Sequence, residues 1–162
     1  MPESVAAEFQ RRCAQDQGDD ALYLPHWTSG DWALLFAHTV PATLAAGDVL
    51  IRQGEPAGAL YFVASGAMEL RAGLGHGAEL GELYREPPGS VIGEISFFDG
   101  RPRTATVWAV EPTELRRLDH AALAAFSEAC PRLAHDLLMA LGRVLAFRLR
   151  RTDEVRLDGI LR

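Results

Sequence analysis

The chain has 162 residues, enough for one domain with a sizeable core, and its 48% hydrophobic and 23% charged residues are ordinary for a globular protein. A net charge of −6 works against non-specific nucleic-acid binding, which needs basic surface. Cys13 and Cys130 are too few for an iron–sulfur cluster and have no metal-ligand spacing; the N-terminus lacks the apolar core of a signal peptide, and the longest apolar stretch, LLMALGRVLAF, is too short to span a membrane, so a reducing cytoplasm is the expected setting.

The first predicted element is a helix from Ser4 to Gln15, broken by DQGDD. A second short helix is expected from Asp31 to His38, with Thr28 or Ser29 as N-cap. Trp27 and Trp32 beside it read as packing residues. From Val40 to Leu118 the chain reads as a succession of short strands. Tyr61, Phe62 and Val63 are strand formers, Ser65-Gly66 is a turn, and Met68 and Leu70 alternate with Glu69 and Arg71. RAGLGHG is a connection, Glu79 to Tyr84 a strand and EPPGS a turn; Thr104 to Val110 and Thr113 to Leu118 complete the series. Many short strands with Gly/Pro turns predict a barrel or jelly roll.

The period then changes to that of helices. LDHAALAAFSEAC suits a helix capped by Asp119, and Pro131 suits the first turn of another. That helix carries Leu137, Leu138, Leu141, Val144 and Leu145 on a broad apolar face. No clean heptad seam follows, because Arg148 and Arg151 succeed Val144. His26, His38, His76, His120 and His135 show no ligand spacing, and no Ser/His/Asp or Cys/His arrangement can be placed, so neither a metalloenzyme nor a hydrolase is expected. The expected organisation is one domain: residues 1–38 a helical segment, 39–118 the β-roll, 119–162 two C-terminal helices.

The most informative stretch is VIGEISFFDGRPRTATVWA, from Val91 to Ala109. It joins a Gly-Glu pair, a short apolar turn, an Asp-Gly step and Arg-Thr-Ala leading into a strand. Glu94 can accept from a hydroxyl. The amides from Gly93 through Ile95 to Ser96 can face an anion if the segment forms a helical turn. Arg103 can grip a phosphate with a two-pronged fork. The alternative for Arg103 is an internal ion pair with Glu94 or Glu111 that holds the barrel together.

This stretch resembles the phosphate-binding cassette of the cyclic nucleotide-binding domains, found in cAMP-dependent kinase regulatory subunits, gated channels and the bacterial catabolite activator family. GEISFFDGRPRTATV aligns with the kinase version without a gap. Upstream, LAAGDVLIRQGEPAGALYFVASGAMEL resembles the family's glycine-punctuated strands, and Gly47, Gly54, Gly66, Gly89, Gly93 and Gly100 fall where the family turns its chain. The resemblance covers about Thr39 to Thr152. It implies an α+β, mainly β, fold: an antiparallel, cupin-like β-roll with a short helical N-terminus, two C-terminal helices and its cassette at residues 91–109.

The resemblance also implies a ligand: a 3′,5′-cyclic mononucleotide, cAMP favoured over cGMP, bound by Gly93, Glu94, Ile95, Ser96, Arg103, Thr104 and Ala105, with Leu70 and Leu83 lining the base pocket. A hydroxyl at Thr104 permits guanine without forbidding adenine. Arg148 falls on the lid position, where the bacterial activators carry small hydroxyl residues; it either stacks over the base or bonds its edge, or is a solvated Arg in the run Arg148 to Arg151. No cofactor and no enzyme activity are expected. The expected role is a sensor that signals through its last helix to a protein partner or a second copy. The sequence ends at Arg162 without a helix-turn-helix, so specific DNA binding by this chain alone is not expected. The rival readings are a degenerate barrel serving as an interaction module and the detached sensor half of a transcription regulator.

Overall fold

A computed structural model of the chain describes residues 4–18, 21–72 and 83–160. Helix α1 (Val5–Cys13) starts at Ser4, whose hydroxyl accepts from Ala7 N–H at 3.2 Å. Helix α2 (Ser29–Phe36) starts from a capping box. Thr28 Oγ1 accepts from Asp31 N–H at 3.2 Å, and the Asp31 carboxylate accepts from Thr28 N–H at 2.8 Å. Thr28 rather than Ser29 is the cap because only Thr28 stands three residues before an acidic side chain.

Among the described residues eight strands follow: β1 (Val40–Leu44), β2 (Val49–Ile51), β3 (Ala59–Ser65), β4 (Met68–Ala72), β5 (Leu83–Glu86), β6 (Val91–Ile92), β7 (Ala105–Ala109) and β8 (Thr113–Asp119). They form two antiparallel sheets, ordered β1-β8-β3-β6 and β2-β7-β4-β5. The expected strand start at Glu79 and most of RAGLGHG lie outside the described residues. Helix α3 (Glu94–Asp99) is inserted between β6 and β7, and α4 (His120–Ala129) and α5 (Pro131–Ile160) close the fold. The architecture is the expected mainly β, antiparallel roll flanked by helices. No helix among the described residues is long and apolar enough to cross a membrane.

Two cores explain the strand patterns. The inner one lies within the roll: Ile51, Val63, Met68, Ile92, Val107, Ala109 and Leu115. The outer one joins the roll to the helices and includes Phe9, Trp32, Phe36, Phe62, Phe126, Leu137, Leu141 and Val144. β3 faces both: Tyr61 and Val63 point to the inner core, Leu60, Phe62 and Ala64 to the outer. That is why its sequence is continuously apolar rather than alternating. The Trp pair packs as expected, with ring centroids 4.8 Å apart, and Trp32 also meets Phe9 at 5.0 Å. Trp27 Nε1 donates to Asp136 on α5 at 3.3 Å.

Asp119 ends β8 and caps α4, accepting from Ala122 N–H at 2.9 Å. That bond, seconded by Arg117, holds its carboxyl below the usual range. Cys13, the last residue of α1, is buried, and burial pushes its thiol from 9.0 to about 12. An unfolded chain ionises this thiol near pH 9 and the folded one does not, so its contribution to stability is full below pH 9 and falls as pH rises toward about 12. Cys13 is therefore expected to resist a thiol reagent at pH 8 until the protein unfolds; rapid labelling in the native state would contradict this placement.

Candidate functional site

The cassette is built around one left-handed glycine. Gly93 follows β6 with φ 80°, and this turns the chain from the strand into α3. A Cβ there would lie 2.6 Å from Arg103 Nη1, so the same position also needs a bare Cα for the Arg to approach. The first backbone bond of α3 is Phe97 N–H to Gly93 C=O at 3.3 Å. The N–H groups of Glu94, Ile95 and Ser96 thus have no acceptor within the helix. Ile95 is partly exposed; Ser96 is buried and its hydroxyl donates to Pro102 C=O at 3.2 Å, which folds the loop back onto the turn.

Arg103 is held at both ends. Its N–H donates to Glu55 C=O at 2.9 Å, and its C=O accepts from Gly54 N–H at 2.8 Å, docking it on the β2–β3 loop. Its guanidinium donates to Gly93 C=O at 3.0 Å and to Ala59 C=O at 2.7 Å. The fork therefore bridges the end of β6 and the start of β3. Only 7% of the residue is exposed, and burial lowers its pKa, partly offset by Tyr61, Glu94 and Glu55. Neither ion pair considered for Arg103 forms: Glu111 pairs with Arg85 at 3.7 Å, and Glu94 pairs elsewhere.

The partner of Glu94 is Arg148 on α5. Nη1 of Arg148 bonds the Glu94 carboxylate, while Nη2 lies 3.2 Å from both Glu86 Oε1 and Val91 C=O. The solvated reading of Arg148 is thereby corrected: its side chain is 14% exposed and lies between two buried carboxylates. The cause is helical phase. Leu137, Leu141 and Val144 face the outer core, and the same face of α5 continues through Arg148 and Arg151. Arg151 lies over the Tyr84 ring at 4.4 Å.

The remaining expected residues divide. Leu70 sits opposite Val107 and Tyr84 and packs on the inner core. Leu83 sits opposite Arg71, on the other face of the sheet, and is half exposed. The structure thus does not bring Leu83 beside Leu70; a shift of one residue reverses a strand's face, and Tyr84 takes that place. Thr104 is exposed and Ala105 opens β7 beside Ala72. Reading the sequence missed Glu86, Tyr84 and His120. Glu86 and Tyr84 alternate with Leu83 and Arg85 in LYRE, a period-2 signal that needed the register to decide its face. His120 Nε2 lies 2.7 Å from Phe97 C=O, with its ring stacked on Phe97 at 4.1 Å, tying α3 to the start of α4. No sequence signal marked that contact.

Comparison with known proteins points one way. The family model for the cyclic nucleotide-binding domain matches residues 41–130. A CRP-like cAMP-activated global transcriptional regulator from Mycobacterium tuberculosis is 31% identical over 128 residues, covering 79% of this chain and 55% of that protein. A cyclic nucleotide-gated potassium channel from Mesorhizobium japonicum is 34% identical over 100 residues, covering 62% of this chain and 25% of the channel. The crystal structure of Thermus thermophilus catabolite activator protein superposes with a TM-score of 0.70 at 31% identity, covering 83% of this chain and 61% of that one. The chain therefore spans only a quarter to about half the length of these curated relatives.

Proposed function

The chain belongs to the cyclic nucleotide-binding domain family, and from that premise we propose that it is a regulatory sensor that reversibly binds a 3′,5′-cyclic mononucleotide, cAMP in preference to cGMP. The observation that carries this reading is Arg103. It is a buried cation whose hydrogen bonds go to two backbone carbonyls and not to a carboxylate. Burying a guanidinium without an anionic partner is costly, and an arriving cyclic phosphate would supply one. Glu94, one residue after Gly93, is the acceptor for the ribose 2′-hydroxyl. The preference for cAMP rests on the relative whose name describes it as cAMP-activated.

Signalling follows from what the cassette touches. α3 is tied to α4 through His120 and to α5 through Glu94 and Arg148. A ligand that orders the cassette changes the energies of both ties, and it shifts the population of α5 only by its differential affinity for the two arrangements. The helix then reports to a protein partner or a second copy, in a cytoplasmic setting and without catalysis by this domain. One observation favours a rival, a barrel that no longer binds nucleotide: the Glu94 carboxylate is already occupied by Arg148.

A melting experiment separates the two. At a hundredfold excess over its dissociation constant, cAMP is expected to add about 2.7 kcal/mol of stability. For a domain of this size that raises Tm by roughly 5–10 °C. No shift with millimolar cAMP or cGMP, in the wild type and in variants lacking the Arg148 contact, would establish the non-binding barrel.

A further inference from the structure

The ion pair between α5 and the cassette has a consequence for how a ligand enters. Glu94 is 1% exposed, so no external hydroxyl reaches its carboxylate in this arrangement. Something must withdraw first. The sheet residues around it are fixed by backbone ladders, and Arg103 is fixed by the β2–β3 loop and two carbonyls. Arg148 differs: it comes from α5 beyond Val144, a fully buried apolar residue of that helix, and Arg151 nearly one turn further on lies over Tyr84.

Resting on the cyclic-nucleotide reading, we propose that Arg148 is a latch. In the ligand-free protein it holds the C-terminal part of α5 on the cassette and closes the carboxylate that the ribose hydroxyl needs. Among the described residues, Glu94, Glu86 and Val91 C=O are acceptors that hold the latch shut. Arg151 over Tyr84 is its second clasp. Ligand entry exchanges the Arg148–Glu94 pair for a hydroxyl–Glu94 bond, and the released arginine frees the end of α5. Binding and helix release are thus one event, because the two donors compete for one carboxylate. Glu86 is the residue that tunes it. It bonds Arg148 from β5 and is not placed at the ribose or the phosphate, so it sets how tightly the latch closes.

The latch predicts a gain of affinity when broken, the opposite of a ligand contact. A protein whose binding-competent form is a minor fraction binds more weakly by that fraction, and opening the latch removes the penalty. Arg148→Met keeps the aliphatic stem and removes the charge; it is expected to tighten cAMP binding by about fivefold or more. Glu86→Gln removes one of Arg148's anions while leaving Arg148 and Glu94 in place, and should shift affinity the same way by a smaller factor. It also guards against a fold defect from leaving two buried carboxylates without Arg148.

The test measures titration calorimetry with cAMP and cGMP beside amide hydrogen exchange of ligand-free wild type, Arg148→Met and Glu86→Gln. Tighter binding together with faster exchange across residues 144–151 supports the latch. Wild type that binds while both variants bind equally or more weakly overturns it, and weaker binding by Arg148→Met makes Arg148 a ligand contact. Unchanged exchange in both variants overturns the hold on α5. Absence of binding in all three proteins defeats the cyclic-nucleotide reading itself, and with it the competition for Glu94.

Discussion

Replacing Arg103 by alanine is expected to weaken binding of a cyclic mononucleotide by about 2–5 kcal/mol, a factor of roughly thirty to several thousand. The loss has two sources. The phosphate would meet no counter-charge in a buried position, and the cassette itself would loosen. Arg103 donates to Gly93 C=O at the end of β6 and to Ala59 C=O at the start of β3, so the variant leaves two carbonyls short of a donor. Stability without ligand should therefore fall too, by about 1–3 kcal/mol. Arg103→Lys should recover little, because a point-like ammonium cannot reproduce a planar fork that spans two strands and a phosphate. Calorimetry measures the first effect and urea unfolding the second. A variant that unfolds more easily yet binds as wild type would make Arg103 a structural strut alone.

Gly66→Ala is expected to destabilise the fold by about 2–5 kcal/mol, with no direct effect on the ligand site. Gly66 turns β3 into β4 at φ 82°, where an L side chain is strained. An added Cβ would lie 2.4 Å from Pro112 C=O, 2.4 Å from Thr113 Oγ1 and 2.7 Å from Thr113 Cα. Two of those atoms are backbone at the start of β8, and the third is anchored: Thr113 Oγ1 accepts from Ala67 N–H at 3.2 Å and donates to Glu111 C=O at 2.8 Å. None can yield without moving a strand. Gly54→Ala is the control: it shares a positive φ of 85° but meets nothing within 4 Å, so only the conformational strain remains. Urea unfolding of the two variants reads the difference. Equal losses would mean that the contact at Gly66 relaxes freely.

Much of the fold was legible because its signals are local. Caps announced two helices: Thr28 and Asp119 each accept from a backbone N–H three residues on. The six glycines picked out as turns, from Gly47 to Gly100, all have positive φ. The cassette was legible for the same reason: Gly93, Glu94, Ser96 and Arg103 lie within eleven residues, and the turn that gathers them is short.

The sequence by itself determined the mainly β roll and its helical flanks, since each depends on residue type, spacing and a few neighbours along the chain, while its resemblance to a known family marked the turn glycines and the expected cassette. Tertiary structure alone decided who faces whom. Leu83 and Tyr84 differ by one place, and only the pairing of β5 with β4 settled which of them points inward beside Leu70. Arg148 looked like part of a solvated basic run. Its burial depends on α5 keeping one face on the outer core from Leu137 to Val144 and carrying that face on to Glu94, 54 positions back in sequence. The broken heptad at Arg148 and Arg151 is the trace of that arrangement: at these positions the helix meets Glu86, Glu94 and Tyr84. Charge complementarity between elements so far apart leaves no periodic mark in either one, and only the folded chain brings them together.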